Sequence, residues 1–308
     1  MKNKILFSLL CCSLLSVNAA HAAFTATCQG SRPAAMGSAF TAVADGADTV
    51  LYNPAGLASL SKPEAIFTYA KPYSGLEGVN LGSHFTAFAV PLKNNGAVAL
   101  GWVNFSSQDQ YQEDMLCLSY GRNMDERISL GAALKYLGHR YTLDERTTGD
   151  SVFGGGNSKY AVALDVGALM RLPVSDGKTV NLAFSAKNLN QPDIGLKTED
   201  KVPFEMGIGA AYSFNETIVP SLDITYRAQE WGSASDKIRI RLGAETWLHK
   251  RLIALRGGVN SSEITLGFGL NPRLWNWDIE FDYAFLYPLL IKETTGTHHL
   301  SISLKFLK

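Results

Sequence analysis

Lys237-Ile238-Arg239-Ile240-Arg241-Leu242-Gly243-Ala244-Glu245 alternates charged or small residues with aliphatic ones along its length. Successive side chains of a strand point to opposite faces, so this run is a strand with two unlike sides. Ile238, Ile240, Leu242 and Ala244 share one face; Lys237, Arg239, Arg241 and Glu245 share the other. The design recurs. In 278–285, Ile279, Phe281, Tyr283 and Phe285 oppose Asp278, Glu280 and Asp282. In 300–306, Leu300, Ile302, Leu304 and Phe306 oppose Ser301, Ser303 and Lys305. Around Asp165 the apolar set is Tyr160, Val162, Leu164, Val166, Ala168 and Met170.

From residue 63 onward the alternation divides the chain into strands at 64–72, 79–91, 96–106, 111–120, 126–141, 158–171, 178–188, 202–213, 217–228, 237–248, 251–259, 262–270, 275–286 and 298–307, fourteen in all. Every second connection is short: Lys93 to Gly96, Gly121 to Asp125, Pro173 to Gly177, Asn215-Glu216 and His249-Lys250. Asn-Gly and Asp-Gly within them tolerate the positive φ of tight hairpins. The other connections are mostly longer, as at 143–157, 189–201, 229–236 and 288–297; those at Ser107–Gln110 and Asn260-Ser261 are short exceptions. Short turns on one side and long loops on the other are the habit of bacterial outer-membrane barrels.

A soluble sandwich also has one apolar face per strand. Aromatics near strand ends favour the membrane alternative: Phe67, Tyr69, Trp102, Tyr120, Tyr141, Tyr226, Trp247, Trp275, Trp277 and Tyr287. Tyr and Trp prefer the lipid–water boundary. Closure into a barrel also removes sheet edges that lipid cannot satisfy. The expected fold is therefore all-β: a transmembrane antiparallel barrel of about fourteen strands, its apolar face to lipid and polar face to the lumen. The last strand ends near the C-terminus at Phe306, a signal of the kind read by the barrel-assembly machinery.

The N-terminus agrees. Lys2 and Lys4 precede an apolar run from Ile5 to Val17, and Ala20-His21-Ala22 suits cleavage before Ala23. The run is too short to favour a spanning helix. Residues 1–22 are thus expected to be a signal peptide, leaving a mature chain of 286 residues destined for the bacterial outer membrane. Cys11 and Cys12 leave with it; Cys28 and Cys117 remain, either bridged or as separate thiols. The 28 basic and 28 acidic residues exert no pull toward nucleic acid.

Residues 23–62 differ from the barrel at 63–308. Gly30-Ser31-Arg32-Pro33-Ala34-Ala35-Met36-Gly37-Ser38-Ala39-Phe40-Thr41-Ala42-Val43-Ala44-Asp45 is small and alanine-rich. Pro33 suits a first helical turn, Met36, Phe40 and Val43 share a helical face, and Gly46 suits a stop. Leu51-Tyr52-Asn53-Pro54-Ala55-Gly56-Leu57-Ala58 then predicts a short turn. These two stretches resemble the N-terminal signature shared by the FadL-type transporters and the PorV/PorQ proteins. The resemblance covers about thirty residues and implies a fourteen-stranded barrel whose lumen is plugged by this partly helical segment. In FadL-type members hydrophobic substrates such as long-chain fatty acids enter from outside and leave sideways through the wall. In PorV-type members the barrel handles cargo proteins in type IX secretion. The present chain is short for either group, and its long outer loops offer few apolar residues beyond Val152, Phe153, Ile194 and Leu196.

Two sets of candidate site residues follow. The plug motif is Arg32, Met36, Gly37, Phe40, Asn53, Pro54, Ala55 and Gly56; its Asn53-Pro54-Ala55 is either a turn starter or the edge of a substrate exit. The lumenal charges are Asp165, Asp223, Arg227, Arg239, Arg241, Glu245, Arg256, Glu280 and Asp282, which either pair across the interior or line a selective conduit. His298 and His299 face opposite ways on a strand, and His84, His139 and His249 lie apart, so no metal site is expected. No hydrolase, metalloprotease or phosphate-loop motif is present, so neither enzyme activity nor a cofactor is expected. Three functions stand: passage of small hydrophobic or amphipathic molecules, an accessory role with secreted proteins or envelope assembly, and a general polar porin.

Overall fold

The computed structural model describes Phe24 and residues 30–93, 96–108, 110–145, 147, 149–215, 217–228, 238–274, 276–291 and 293–306. The expected signal peptide, Cys28 and Trp275 lie outside these residues.

The strands are β1 (Glu64–Ser74), β2 (Leu81–Leu92), β3 (Gly96–Ser107), β4 (Tyr111–Asn123), β5 (Ile128–Tyr141), β6 (Ser158–Ser175), β7 (Lys178–Lys187), β8 (Glu205–Phe214), β9 (Ile218–Arg227), β10 (Ile238–Leu248), β11 (Ile253–Asn260), β12 (Glu263–Leu270), the two-residue β13 (Arg273–Leu274), β14 (Trp277–Pro288) and β15 (Gly296–Phe306). Each long strand pairs antiparallel with its sequence neighbours, β12 with β14 across the stub β13. β1 closes on β15, with Phe67 opposite Ile302 and Tyr69 opposite Leu300. The result is a closed barrel of fourteen long strands, matching the expected number and, within a few residues, the expected limits.

Alternation sets what each face meets. Leu100, Leu118, Leu134 and Leu164 are direct cross-strand neighbours from β3 to β6, and each is about half exposed on the outer wall. One row toward the loops stand Trp102, Leu116, Tyr136 and Val162; the next row holds Asn104, Asp114, Gly138 and Tyr160. The Trp102 indole N–H donates to Asp114 (3.0 Å) and Tyr136 stacks on Tyr160 (5.6 Å). Polarity thus changes within two residues of strand, with Trp and Tyr at the change, as a membrane boundary requires.

Two of the expected belt aromatics belong inside. Trp247 is 5 % exposed, shares the lumenal face with Glu245, and donates its indole N–H to that carboxylate (2.9 Å). Tyr141 faces inward with His139, in an edge contact at 5.4 Å. In both cases strand parity, not residue type, decides the side.

The segment before β1 fills the barrel. The helix expected from Pro33 toward Gly46 stops early: α1 spans only Ser31–Ala35. Gly37 and Ser38 both adopt φ of +62°, which no α-helix accommodates, and the chain turns back. 3₁₀ turns follow at Ala47–Leu51 and Pro54–Ser59, the second with Pro54 in its first turn. Met36, Phe40, Leu57 and Asn53 are completely buried. Phe40 meets Tyr52 edge-on at 5.2 Å and carries the Arg32 guanidinium over its face. Each such large apolar side chain contributes about 1.5–3 kcal/mol by leaving water.

Candidate functional site

The plug is seated by hydrogen bonds from around the wall. Asp223 Oδ2 on β9 accepts from the Phe40 N–H (3.0 Å), the Thr41 N–H (2.9 Å) and the Thr41 hydroxyl (2.7 Å). Thr265 on β12 accepts from the Gly37 N–H (3.0 Å) and donates to the Ala35 carbonyl (2.8 Å). Ser301 on β15 accepts from the Ser31 N–H, Asn181 on β7 donates to the Ala42 carbonyl, and Asn123 on β4 donates to that of Ala58. The wall also comes close enough to require glycine. A Cβ on Gly131 of β5 would overlap the backbone of Pro54 and Ala55, and one on Gly258 of β11 would overlap Met36 and Gly37.

Asn53 joins plug to wall and plug to itself. Its Nδ2 donates to the carbonyls of Thr41 and Ala168, both at 3.1 Å, and its Oδ1 accepts from the Ala55 N–H. Asn53 is therefore a buried three-way connector, and Pro54 and Ala55 lie against the glycine face of β5. Gly56 packs inside the plug against Ala44. Asn53→Ala is expected to leave buried carbonyls unmatched and to lower stability by about 1–3 kcal/mol. Denaturant unfolding in detergent checks this; a loss below a few tenths of a kcal/mol would exclude the connector role.

A buried ionic network ties α1 to the opposite wall. Arg32 bonds Asp45 (2.5 Å) on the plug and Glu245 (2.8 Å) on β10. Arg256 on β11 bonds Glu245 (2.7 Å), Glu280 (3.1 Å) and Asp282, and Lys305 on β15 bonds Glu280 (3.3 Å). Asp48, on the plug, is 4 % exposed beside this network. Burial pushes its carboxyl from 3.8 up to about 8; Arg32 and Lys305 oppose the shift, while Glu64 and Asp45 add to it. The folded chain therefore holds a proton that the unfolded chain has already released. The stabilising effect is complete below pH 4 and is lost as pH rises toward 8. Amide exchange over 47–51, corrected for intrinsic rates, should accelerate between pH 4 and pH 8. Asp48→Asn should remove that dependence; its persistence in the variant would count against Asp48 as the cause.

Above the plug a cavity of about 410 Å³ opens toward the long loops. Its floor includes Val50, Leu51 and Tyr52, and Phe24 also reaches it. Phe24 is held there through its N–H, which donates to Glu113 on β4 (3.0 Å). The loop 188–204 folds inward over the barrel mouth. Ile194 and Val202 are 2 % exposed, and the Ile194 carbonyl lies 2.7 Å from His139 Nε2. The loop keeps its shape through Asp193, whose carboxyl accepts the N–H groups of Asp200 and Gly195; these bonds hold its pKa below the usual carboxylate range.

The lumenal charges named above separate into two groups. Glu245, Arg256, Glu280 and Asp282 belong to the network beside α1, while Asp223 holds the plug. Asp165, Arg227, Arg239 and Arg241 line the upper cavity. Asp165 pairs with Lys135 (2.7 Å) and Arg227 with Glu205 (2.7 Å). Lys135, Lys187 and Glu205 belong to this site too. Their strand parity marks them as lumenal, but their strands alternate less cleanly than β10 or β15.

The same fold is found among solved structures. The chain is similar to the Ralstonia pickettii toluene transporter TbuX, with 13 % identity, a TM-score of 0.61, and 94 % of this chain and 99 % of that one covered. It is similar to the monoaromatic hydrocarbon channel CymD, with 13 % identity, a TM-score of 0.62, and coverage of 91 % and 97 %. A Pseudomonas aeruginosa FadL homologue matches with 13 % identity, a TM-score of 0.57, and coverage of 91 % and 98 %. Identities this low speak to fold: the chain has the FadL-type fold of the bacterial outer membrane. No family model and no curated protein matches the sequence.

Proposed function

We propose that this protein is a plugged channel passing small hydrophobic or amphipathic molecules across the outer membrane. The observation that supports it best is the cavity itself, floored by a seated plug, edged by the inward-folded loop 188–204 at Asn188, and lined by polar and apolar side chains together. An ungated polar porin has no use for a lumen filled with Met36, Phe40 and Leu57. The proteins that share its fold include transporters of toluene and monoaromatic hydrocarbons, and a pocket of this size can enclose a small organic molecule. The plug rests on many hydrogen bonds of modest net strength, so a local shift of part of it is a feasible opening step.

The test uses the full chain in vesicles with a lipopolysaccharide outer leaflet, which slows unassisted entry of apolar molecules. Radiolabelled toluene and 2-naphthoate are supplied outside, and ion conductance is recorded in parallel. Uptake of either probe above protein-free vesicles, with conductance near background, is the expected result. Absence of uptake for both, or a large standing conductance, overturns the reading.

A further inference from the structure

The Lys and Arg side chains that line the cavity lie on one side of it. On one side, strands β5 to β10 present Lys135, Lys187, Arg227, Arg239 and Arg241. On the other side, and from the plug, come Leu81, Phe105, Met115, Leu137, Leu286 and Val50. Leu137 stands two residues beyond Lys135 on the same face of β5, so the two halves meet along that strand.

The carboxylates on the charged side are already engaged. Asp165 takes Lys135 and the Asn188 N–H; Glu205 takes Arg227 at 2.7 Å and Lys187 at 3.6 Å. Asp223, the cross-strand neighbour of Arg241, spends one oxygen on three bonds to the plug, and its other oxygen has no hydrogen-bond partner. Among the described residues, Lys135, Lys187 and Arg227 are thus paired directly, Arg239 has an interaction of its own, and Glu205 and Asp223 act on Arg241 only from beyond ion-pair distance. Arg241 makes no hydrogen bond or ion pair among the described residues, yet it is half-buried and lines the cavity. Lys187 lines the same cavity, with its ammonium 5.6 Å from the Tyr52 ring. A half-buried guanidinium with no direct hydrogen-bond partner among the described residues has its donors open to the cavity and is incompletely compensated in the free protein. It is well placed to take a planar anion with two parallel bonds.

We propose that the cavity selects compact amphipathic monoanions, a ring or short chain bearing one carboxylate or sulfonate, with Arg241 and Lys187 on the acid group and the β2–β5 side on the apolar body. This rests on the channel reading above for its purpose, but it concerns binding and can be tested without transport. A neutral hydrocarbon in the same space would displace water from these cations and offer nothing in return. Arg241 is thus the specificity-determining residue.

The test compares two probes of one shape, 2-naphthoate and the neutral 2-naphthalenemethanol, by calorimetry on the full chain in detergent at pH 7.5. The wild type should bind naphthoate more tightly by tenfold or more. Arg241→Met should weaken naphthoate by roughly tenfold to a hundredfold, the worth of one charge-assisted bond, and leave the alcohol unchanged. Arg241→Lys should keep part of the preference, since a point charge replaces a fork. Folding of each variant is checked by heat-modifiable gel mobility. Equal or better binding of the alcohol by the wild type overturns the proposal, whatever the variants do. So does an unchanged preference in a folded Arg241→Met. The two readings fail separately. Arg241-dependent binding without uptake removes the channel, and uptake of both probes without preference removes the anion selectivity.

Discussion

Arg256→Met is expected to destabilise the barrel by about 3–5 kcal/mol, the usual consequence of removing one partner from a buried ionic cluster. The Arg256 side chain is wholly enclosed and reaches three carboxylates at once: Glu245, Glu280 and Asp282. It also lies over the Trp247 ring at 5.4 Å. Without it, Lys305 still serves Glu280 and Arg32 still serves Glu245, but Asp282 loses its ion-pair partner. Methionine fills much of the same volume, so the loss reports charge rather than a void. Adding Asp282→Asn to Arg256→Met should therefore recover a large part of the stability. Urea unfolding in lipid vesicles, followed by gel mobility, provides the measurement. A single variant as stable as the wild type, or a double variant no better than the single, would show that the cluster does not hold the wall in this way.

The strands were legible because period 2 is written on both faces at once: lipid needs Leu100, Leu118, Leu134 and Leu164, and the lumen needs Asp165, Glu245 and Arg256. Faces were less legible where residue type and parity disagree. Trp247 has the composition of a membrane belt and the position of a lumenal residue, and Glu245 two residues away accepts its indole N–H. The plug was legible as a separate segment, but its path was not. Met36, Phe40 and Val43 suit a helical face, yet Gly37 and Ser38 take left-handed backbone, so the three are buried by a coiled path instead. A further signal lay in plain view. Gly131, Gly167, Gly209, Gly243 and Gly258 fall at lumenal positions of five different strands, and each meets the plug. Glycine inside a strand commonly marks close approach of another backbone. That Arg241 has no direct partner among the described residues was not legible. It depends on which carboxylates are already taken, and that is decided by side-chain geometry across the five strands β5 to β9.

A chain lacking residues 30–62 is expected to conduct ions continuously, at a level an order of magnitude or more above the intact protein. Barrels of eight strands are filled by their own side chains, whereas those of sixteen to eighteen leave an aqueous channel. Fourteen strands lie between, and here the lumenal face is lined with small residues such as Ala99, Gly131, Ala183, Gly209 and Gly258. These cannot close the space that Met36, Phe40 and Leu57 occupy. The deletion also strips Glu245 of Arg32, while Arg256 remains to hold it, so the wall keeps an internal counter-charge and the variant is expected to close. Single-channel recording in planar bilayers measures the outcome. The lesser variant Gly131→Leu drives a side chain into Pro54 and Ala55 without removing the plug, and should give intermittent openings. If the deleted barrel folds, by heat-modifiable mobility, and conducts no better than the full chain, then the wall closes the lumen by itself. The hydrogen bonds and glycine contacts around residues 30–62 would then serve stability alone.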